Sequence, residues 1–142
     1  MNISSPLSGL TSVVISASIT NMNGFIVIGV MQGAFNATTM TVPSTTSIKN
    51  GQFSTTLNLN AVQMVHTTQN YNTTFQFNGL SANTLYTFFY FCTVEDPAIT
   101  ALSSAVGTMS AQTLQMLVID INWEYSLRGV WAVAVLGLML LL

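Results

Sequence analysis

Between Thr84 and Val94 the chain alternates with a period of two. Tyr86, Phe88, Tyr90 and Cys92 fall on one face, and Thr87, Phe89, Phe91 and Thr93 on the other. Aromatic and β-branched side chains at this density suit a pleated strand. Glu95-Asp96-Pro97 ends the run. A strand of this kind needs pairing partners, and the remaining sequence offers them.

Val13, Ile15, Ala17 and Ile19 alternate with Val14, Ser16, Ser18 and Thr20, a half-buried strand. Asn23-Gly24 then gives a hairpin signal. Phe25 to Met31 is continuously apolar and reads as a central strand covered on both faces. Gly33 to Thr46 is a polar connection containing Pro43, and Asn50-Gly51 is a second turn signal. Phe53, Thr55, Leu57 and Leu59 alternate again, and Val62 and Met64 either continue that strand or begin another. Gln69 to Asn72 is a polar turn. Phe75 and Phe77 alternate with Gln76 and Asn78 up to Gly79, and Ser103 to Thr113 forms a last strand rich in small residues. About seven short strands separated by turn chemistry predict an all-β antiparallel sandwich. The sandwich covers residues 8–113, a spacer covers 114–128, and an apolar tail covers 129–142.

The segment Gly79-Leu80-Ser81-Ala82-Asn83-Thr84-Leu85-Tyr86 resembles the E–F corner of fibronectin type III domains, where a leucine is followed four residues later by Thr and six later by Tyr. Leu80, Thr84 and Tyr86 match that pattern. The resemblance implies an Ig-like sandwich with a tyrosine corner, the ring in the core and its hydroxyl bonded to backbone a few residues upstream. The earlier strands and loops are similar to divergent members of the family on protist and bacterial surface proteins. The family's core Trp on the second strand has no counterpart, because no Trp precedes Trp123. Phe25 or an aromatic of the sixth strand is expected to fill that volume. The loop after that strand carries no Arg-Gly-Asp, so no receptor site is implied.

Between Met1 and Val94 the one formally charged side chain is Lys49, and Glu95, Asp96, Asp120, Glu124 and Arg128 complete the set. Charged residues make up 4 % of the chain, against about 25 % in an ordinary soluble domain. Solubility then has to come from sugars, neighbouring subunits or a membrane. A net charge of −2 with two cations argues against nucleic acid as a partner and against a basic patch for anionic lipid. Edge strands are usually guarded against unwanted pairing by Lys and other charges, and this sandwich has almost no such guard.

Three Asn-x-Ser/Thr sequons make Asn2, Asn36 and Asn72 the N-glycosylation candidates, the last two in predicted loops. Thr38-Thr39, Thr45-Thr46 and Thr73-Thr74 are either O-glycan acceptors or plain solvent faces. Cys92 is the single cysteine, so no intradomain disulfide and no Cys-based metal cluster can form. It reads as a small buried hydrophobe, with an intermolecular disulfide or reactive thiol as alternatives. His66 is the single histidine, and with Cys92 it makes the one conceivable nucleophile pair. Lys49 beside Asn50 has the residue types of an isopeptide crosslink but no carboxylate nearby in sequence. Asp120 and Glu124, four apart, are too few for a defined Ca²⁺ site. No catalytic residue, cofactor or metal ligand set is assigned.

Gly129 to Leu142 is uninterrupted apolar sequence, with Arg128 before it and Trp123, Tyr125 and Trp131 at its entrance. Aromatics and a cation are the usual anchors at a water–hydrocarbon boundary. The stretch is shorter than the about 17–25 residues of a membrane span. It reads as the hydrophobic part of a lipid-anchor signal, as a short retained anchor, or as a segment buried in a neighbouring subunit through Trp131, Val133, Val135, Leu136, Leu138 and Leu140. At Met1 no cationic region or long apolar run marks a secretory leader, so either the chain is the C-terminal part of a longer precursor or its start is not the natural one. The expected function is a non-enzymatic extracellular structural module at the cell surface. It would be a glycosylated homo-oligomer or polymer assembling through strand edges and the tail. The alternative is a membrane- or lipid-anchored adhesion domain.

Overall fold

The computed structural model describes residues 1–20, 22–94 and 103–116. Among them are eight strands and one short helix. β1 (Asn2–Ile3) and β2 (Leu7–Ser8) are two halves of one edge, and both pair antiparallel with β3 (Ser12–Ser18). Pro6 lies between the halves and has no N–H to give the ladder, so the edge breaks there. β4 (Gly24–Gln32) enters a second sheet. Next come helix α1 (Thr45–Lys49), β5 (Ala61–Thr67), β6 (Thr73–Asn78), β7 (Leu85–Val94) and β8 (Gly107–Gln112). Sheet one has β3 at its centre, with β1 and β2 on one side and β6 on the other. Sheet two runs β5-β4-β7-β8. Every pairing is antiparallel, and the fold is an all-β sandwich. Counting β1 and β2 as one broken strand gives seven, the expected number but not the expected set, since the β1–β2 edge was not foreseen and Phe53 to Leu59 is no strand.

Period two decides what is buried. β3 turns Val13, Ile15 and Ala17 inward, β6 turns Phe75 and Phe77 inward, and β4 contributes Ile26, Ile28 and Val30. Tyr86 and Phe88 of β7 complete this inter-sheet core, with Ala111 of β8. The Phe77 and Phe88 rings meet at 5.5 Å between centroids. Of the two expected core aromatics, the sixth-strand alternative lies in this core as Phe88, whereas the half-buried Phe25 ring packs edge-on against His66 at 5.1 Å. The other face of sheet two has a core of its own: Val27 and Met31 of β4, Phe89 and Phe91 of β7, and Ile48 and Leu59 from the β4–β5 connection. Phe35, Met40 and Phe53 of the same connection pack around it.

Two local expectations are corrected, and the turn expected at Asn50-Gly51 is present and given its role. Asn23-Gly24 does not turn a hairpin, because β3 and β4 lie in different sheets. The glycine serves a close approach: a Cβ at position 24 would run into the Thr93 carbonyl. The Asn23 side chain holds the Gln69 N–H at 2.8 Å. Phe53 to Leu59 is not a strand but a tight loop with one isolated bridge, Gln52 to Asn58, and β5 begins only at Ala61. Its alternation reflects Phe53 and Leu59 reaching into the outer core while Leu57 faces solvent. Asn50-Gly51 is a helix stop. The Gln52 N–H donates to the Ser47 carbonyl and the Gly51 N–H to that of Ile48, both at 2.9 Å, with Gly51 at φ +73°. At the other end Ser44 caps α1, its hydroxyl accepting from the Ser47 N–H at 3.0 Å. Strands also begin at Asn2, ahead of position 8 where the sequence places the start of the sandwich.

Candidate functional site

The turn between β6 and β7 is a densely hydrogen-bonded corner of the sandwich. Gly79 takes φ +71° and Asn83 φ +50°, which lets the chain reverse tightly. Leu80 is buried and anchors the turn in the core. The Tyr86 ring is buried, and its hydroxyl accepts from the Ser81 N–H at 2.9 Å. Thr84 donates its hydroxyl to the Ala82 carbonyl at 2.9 Å. Its N–H donates at 2.9 Å to the Thr113 hydroxyl, which in turn donates to the Ser81 carbonyl at 2.6 Å. Thr113 thus ties the end of the last strand to the corner, a role absent from the sequence reading. The signal was parity: Thr113 shares the inward register of Met109 and Ala111, where a polar side chain needs a partner.

All three sequon asparagines are exposed. Asn36 lies in the loop after β4, where its side-chain oxygen accepts from the Thr38 N–H at 2.9 Å, a closed Asx turn across the sequon. Asn72 immediately precedes β6; Thr73 points inward onto Thr67 at 3.1 Å, and Thr74 faces solvent. Asn2 lies within β1 opposite Ser18, and the Ser4 hydroxyl accepts from the Ser16 N–H at 3.0 Å. The tail residues Trp131, Val133, Val135, Leu136, Leu138 and Leu140 lie outside the described residues, as do Glu95, Asp96, Asp120, Glu124 and Arg128.

The polar candidates do not converge. Cys92 packs on the inter-sheet side of β7, and His66 lies against Phe25 on the opposite face of sheet two. Cys92 lines an open hollow of about 240 Å³ with Met22, Thr93, Val94, Ser103 and Ser104, and His66 is not among its walls. The Lys49 ammonium lies over the Phe91 ring, 5.8 Å from its centroid. Among the described residues no three of His, Cys, Asp and Glu come together as a metal site. No helix there is long and apolar enough to cross a membrane.

What the fold does bring together is uncharged surface. The outer face of sheet one sets Ser12 opposite Asn78 and Ser16 opposite Thr74, with Gln76 between them on β6. Lys49 is the one Asp, Glu, Lys or Arg among the described residues, and its charge rests on an aromatic face. Leu7 and Met116 are exposed by 71 % and 68 %.

No protein-family model matches the chain, and no curated protein matches it. Among solved structures it is similar to a β-sandwich protein described as computer-redesigned, with a TM-score of 0.45 and 12 % identity over 82 % of this chain and 95 % of that one.

Proposed function

We propose that this chain is a non-enzymatic structural module of the cell exterior, a glycosylated subunit that assembles through its strand edges and apolar tail. Its sandwich is of the Ig-like, fibronectin type III kind, a reading supported by the three-on-four strand division and by the corner of Leu80, Thr84 and Tyr86. One observation carries the functional reading: apart from Lys49, the described surface holds no Asp, Glu, Lys or Arg. A dispersed monomer is normally kept soluble by mixed charge. Here exposed Ser, Thr, Asn and Gln alternate with exposed Leu and Met, a surface suited to being covered by sugar or by further copies. Asn36 and Asn72 are placed in exposed chain beside the strands, where a glycan is accommodated without disturbing the core.

A second reading, a membrane- or lipid-anchored adhesion domain, is favoured by Arg128 and Trp131 at the entrance to the apolar stretch. Intact-mass measurement of the native chain, with its sedimentation, separates the two. Glycan mass on a full-length chain that sediments as a large particle supports the assembling subunit. A chain that has lost its apolar end and gained a glycolipid sinks that reading in favour of the anchored domain.

A further inference from the structure

We propose that β8 is the assembly edge, and that its partner is β8 of a second copy, related by a two-fold axis through Ser110. This rests on the assembling-subunit reading and names the surface it uses. The direction of the backbone groups follows from two bonds. The Thr113 N–H donates to the Thr84 carbonyl, and the Gly33 N–H donates to the Leu85 carbonyl. Even-numbered residues of β7 therefore face β8, and odd-numbered ones face β4. By the register of β7 with β8, Met109 and Ala111 use their backbone groups on β7. Thr108, Ser110 and Gln112 point theirs away from it, and all three are exposed. β8 ends its sheet. Among the described residues the chain nearest to it from outside that sheet is β2, and just past the strand's end the Leu114 N–H, of the same outward parity, donates to the Gly9 carbonyl at 2.9 Å, so the open stretch is Thr108 to Gln112.

The other edges are obstructed or charged. The β1–β2 edge is broken at Pro6. On β6 the outward Gln76 carbonyl already accepts from the Gln63 side chain at 2.8 Å. Beside the β5 edge packs α1, which carries the cation Lys49. β8 has no ionisable group, no Pro and a continuous run of six residues. Edge strands of this kind template pairing with another chain.

Antiparallel self-pairing centred on Ser110 sets Ser110 opposite its copy and Thr108 opposite Gln112 of the other chain. These three outward residues then exchange about six backbone hydrogen bonds. Shifting the axis to Met109 leaves Gln112 unmatched, so the Ser110 register is the fuller one. The outer-face side chains brought together, Thr, Ser and Gln, are uncharged, so identical copies meet without repulsion.

Oxidation of single-cysteine additions to the full-length chain, purified in non-ionic detergent, tests the register, with the unmodified chain and its Cys92 as background. Ser110→Cys is expected to give a disulfide-linked dimer, since hydrogen-bonded antiparallel partners have Cα atoms about 5.5 Å apart, within disulfide reach. Thr108→Cys is expected to give none, because its copies lie about 13 Å apart in this register. Ser110→Pro removes an N–H on the free side only and is expected to abolish the dimer while keeping the circular dichroism of the fold. Ser110→Lys gives the same reading should the proline variant fail to fold. A dimer that survives both substitutions, or crosslinks at position 108 instead of 110, overturns this edge and leaves the assembling-subunit reading standing. A wild-type chain that stays monomeric and unglycosylated overturns both.

Discussion

Phe88 and Phe89 are neighbours on β7 and both are fully buried, yet they belong to cores built in different ways. Phe88 faces the space between two sheets, where regular strands from each side supply Ile15, Phe75, Phe77 and Ile28. Phe89 faces outward from sheet two and is covered by irregular chain: Phe35 at 5.4 Å and Phe53 at 5.5 Å between centroids, with Ile48 from a single turn of helix. The first core is fixed by register, since a one-residue slip would turn every strand inside out. The second depends on a connection holding its shape through local bonds, such as the Ser44 cap and the Leu59 N–H donating to the Gly51 carbonyl at 2.8 Å. One strand can thus organise two cores of unequal cooperativity.

The largest effect is expected from Phe88→Ala. It removes the ring from the sealed inter-sheet core and costs about 3–5 kcal/mol, enough to unfold much of the domain, as read by urea denaturation. Phe89→Ala costs about 3 kcal/mol by the same measure, with a different signature. In hydrogen exchange, amides of residues 33–60 lose protection while those of β3 and β6 keep theirs. Equal loss in β3 would show that the two cores are one cooperative unit and break the comparison. Gly29→Ala sharpens it further. An added Cβ meets Leu59 Cδ1 at 2.7 Å and Ile48 Cγ2 at 3.0 Å, so the covering chain is pushed off. A cost of about 1–3 kcal/mol is expected, again with exchange confined to the outer core. The smallest effect is Tyr86→Phe. Losing the hydroxyl that holds the Ser81 N–H costs about 1 kcal/mol in thermal melting, without change in either core.

The inter-sheet core was legible because it is written in period two. Val13 to Ile19, Phe75 to Phe77 and Tyr86 to Cys92 each place their buried side chains by alternation alone. The corner was legible as well, since Leu80, Thr84 and Tyr86 are local to one another. The outer core was only half visible. Phe89 and Phe91 announced a second apolar face, but the chain that covers it has no period to read. Phe53 and Leu59 imitated a strand because both happen to reach the same surface. Asn23-Gly24 misled for a related reason: a turn signal marks a change of direction and does not say which sheet the next strand joins. β1 and β2 escaped because strands of two residues on either side of a proline leave no pattern. Thr113 was visible as the end of a strand, but its partners lie 29 and 32 residues back in sequence.

The Asn2–Ser18 pairing lies at the far end of β3. At the near end of that strand the Leu114 N–H donates to the Gly9 carbonyl. Asn2 and Leu114 are therefore at opposite poles of the sandwich. Tension applied between them runs along the strands and strains their ladders sideways, many hydrogen bonds at once, where a pull across the strands would open them one at a time. A pull at Leu114 meets first that residue's own bonds to Gly9 and Asn83, and then the Thr113 hydroxyl, bonded on both sides of the β6–β7 corner. Loaded between these two poles, the described sandwich would stretch stiffly and yield abruptly.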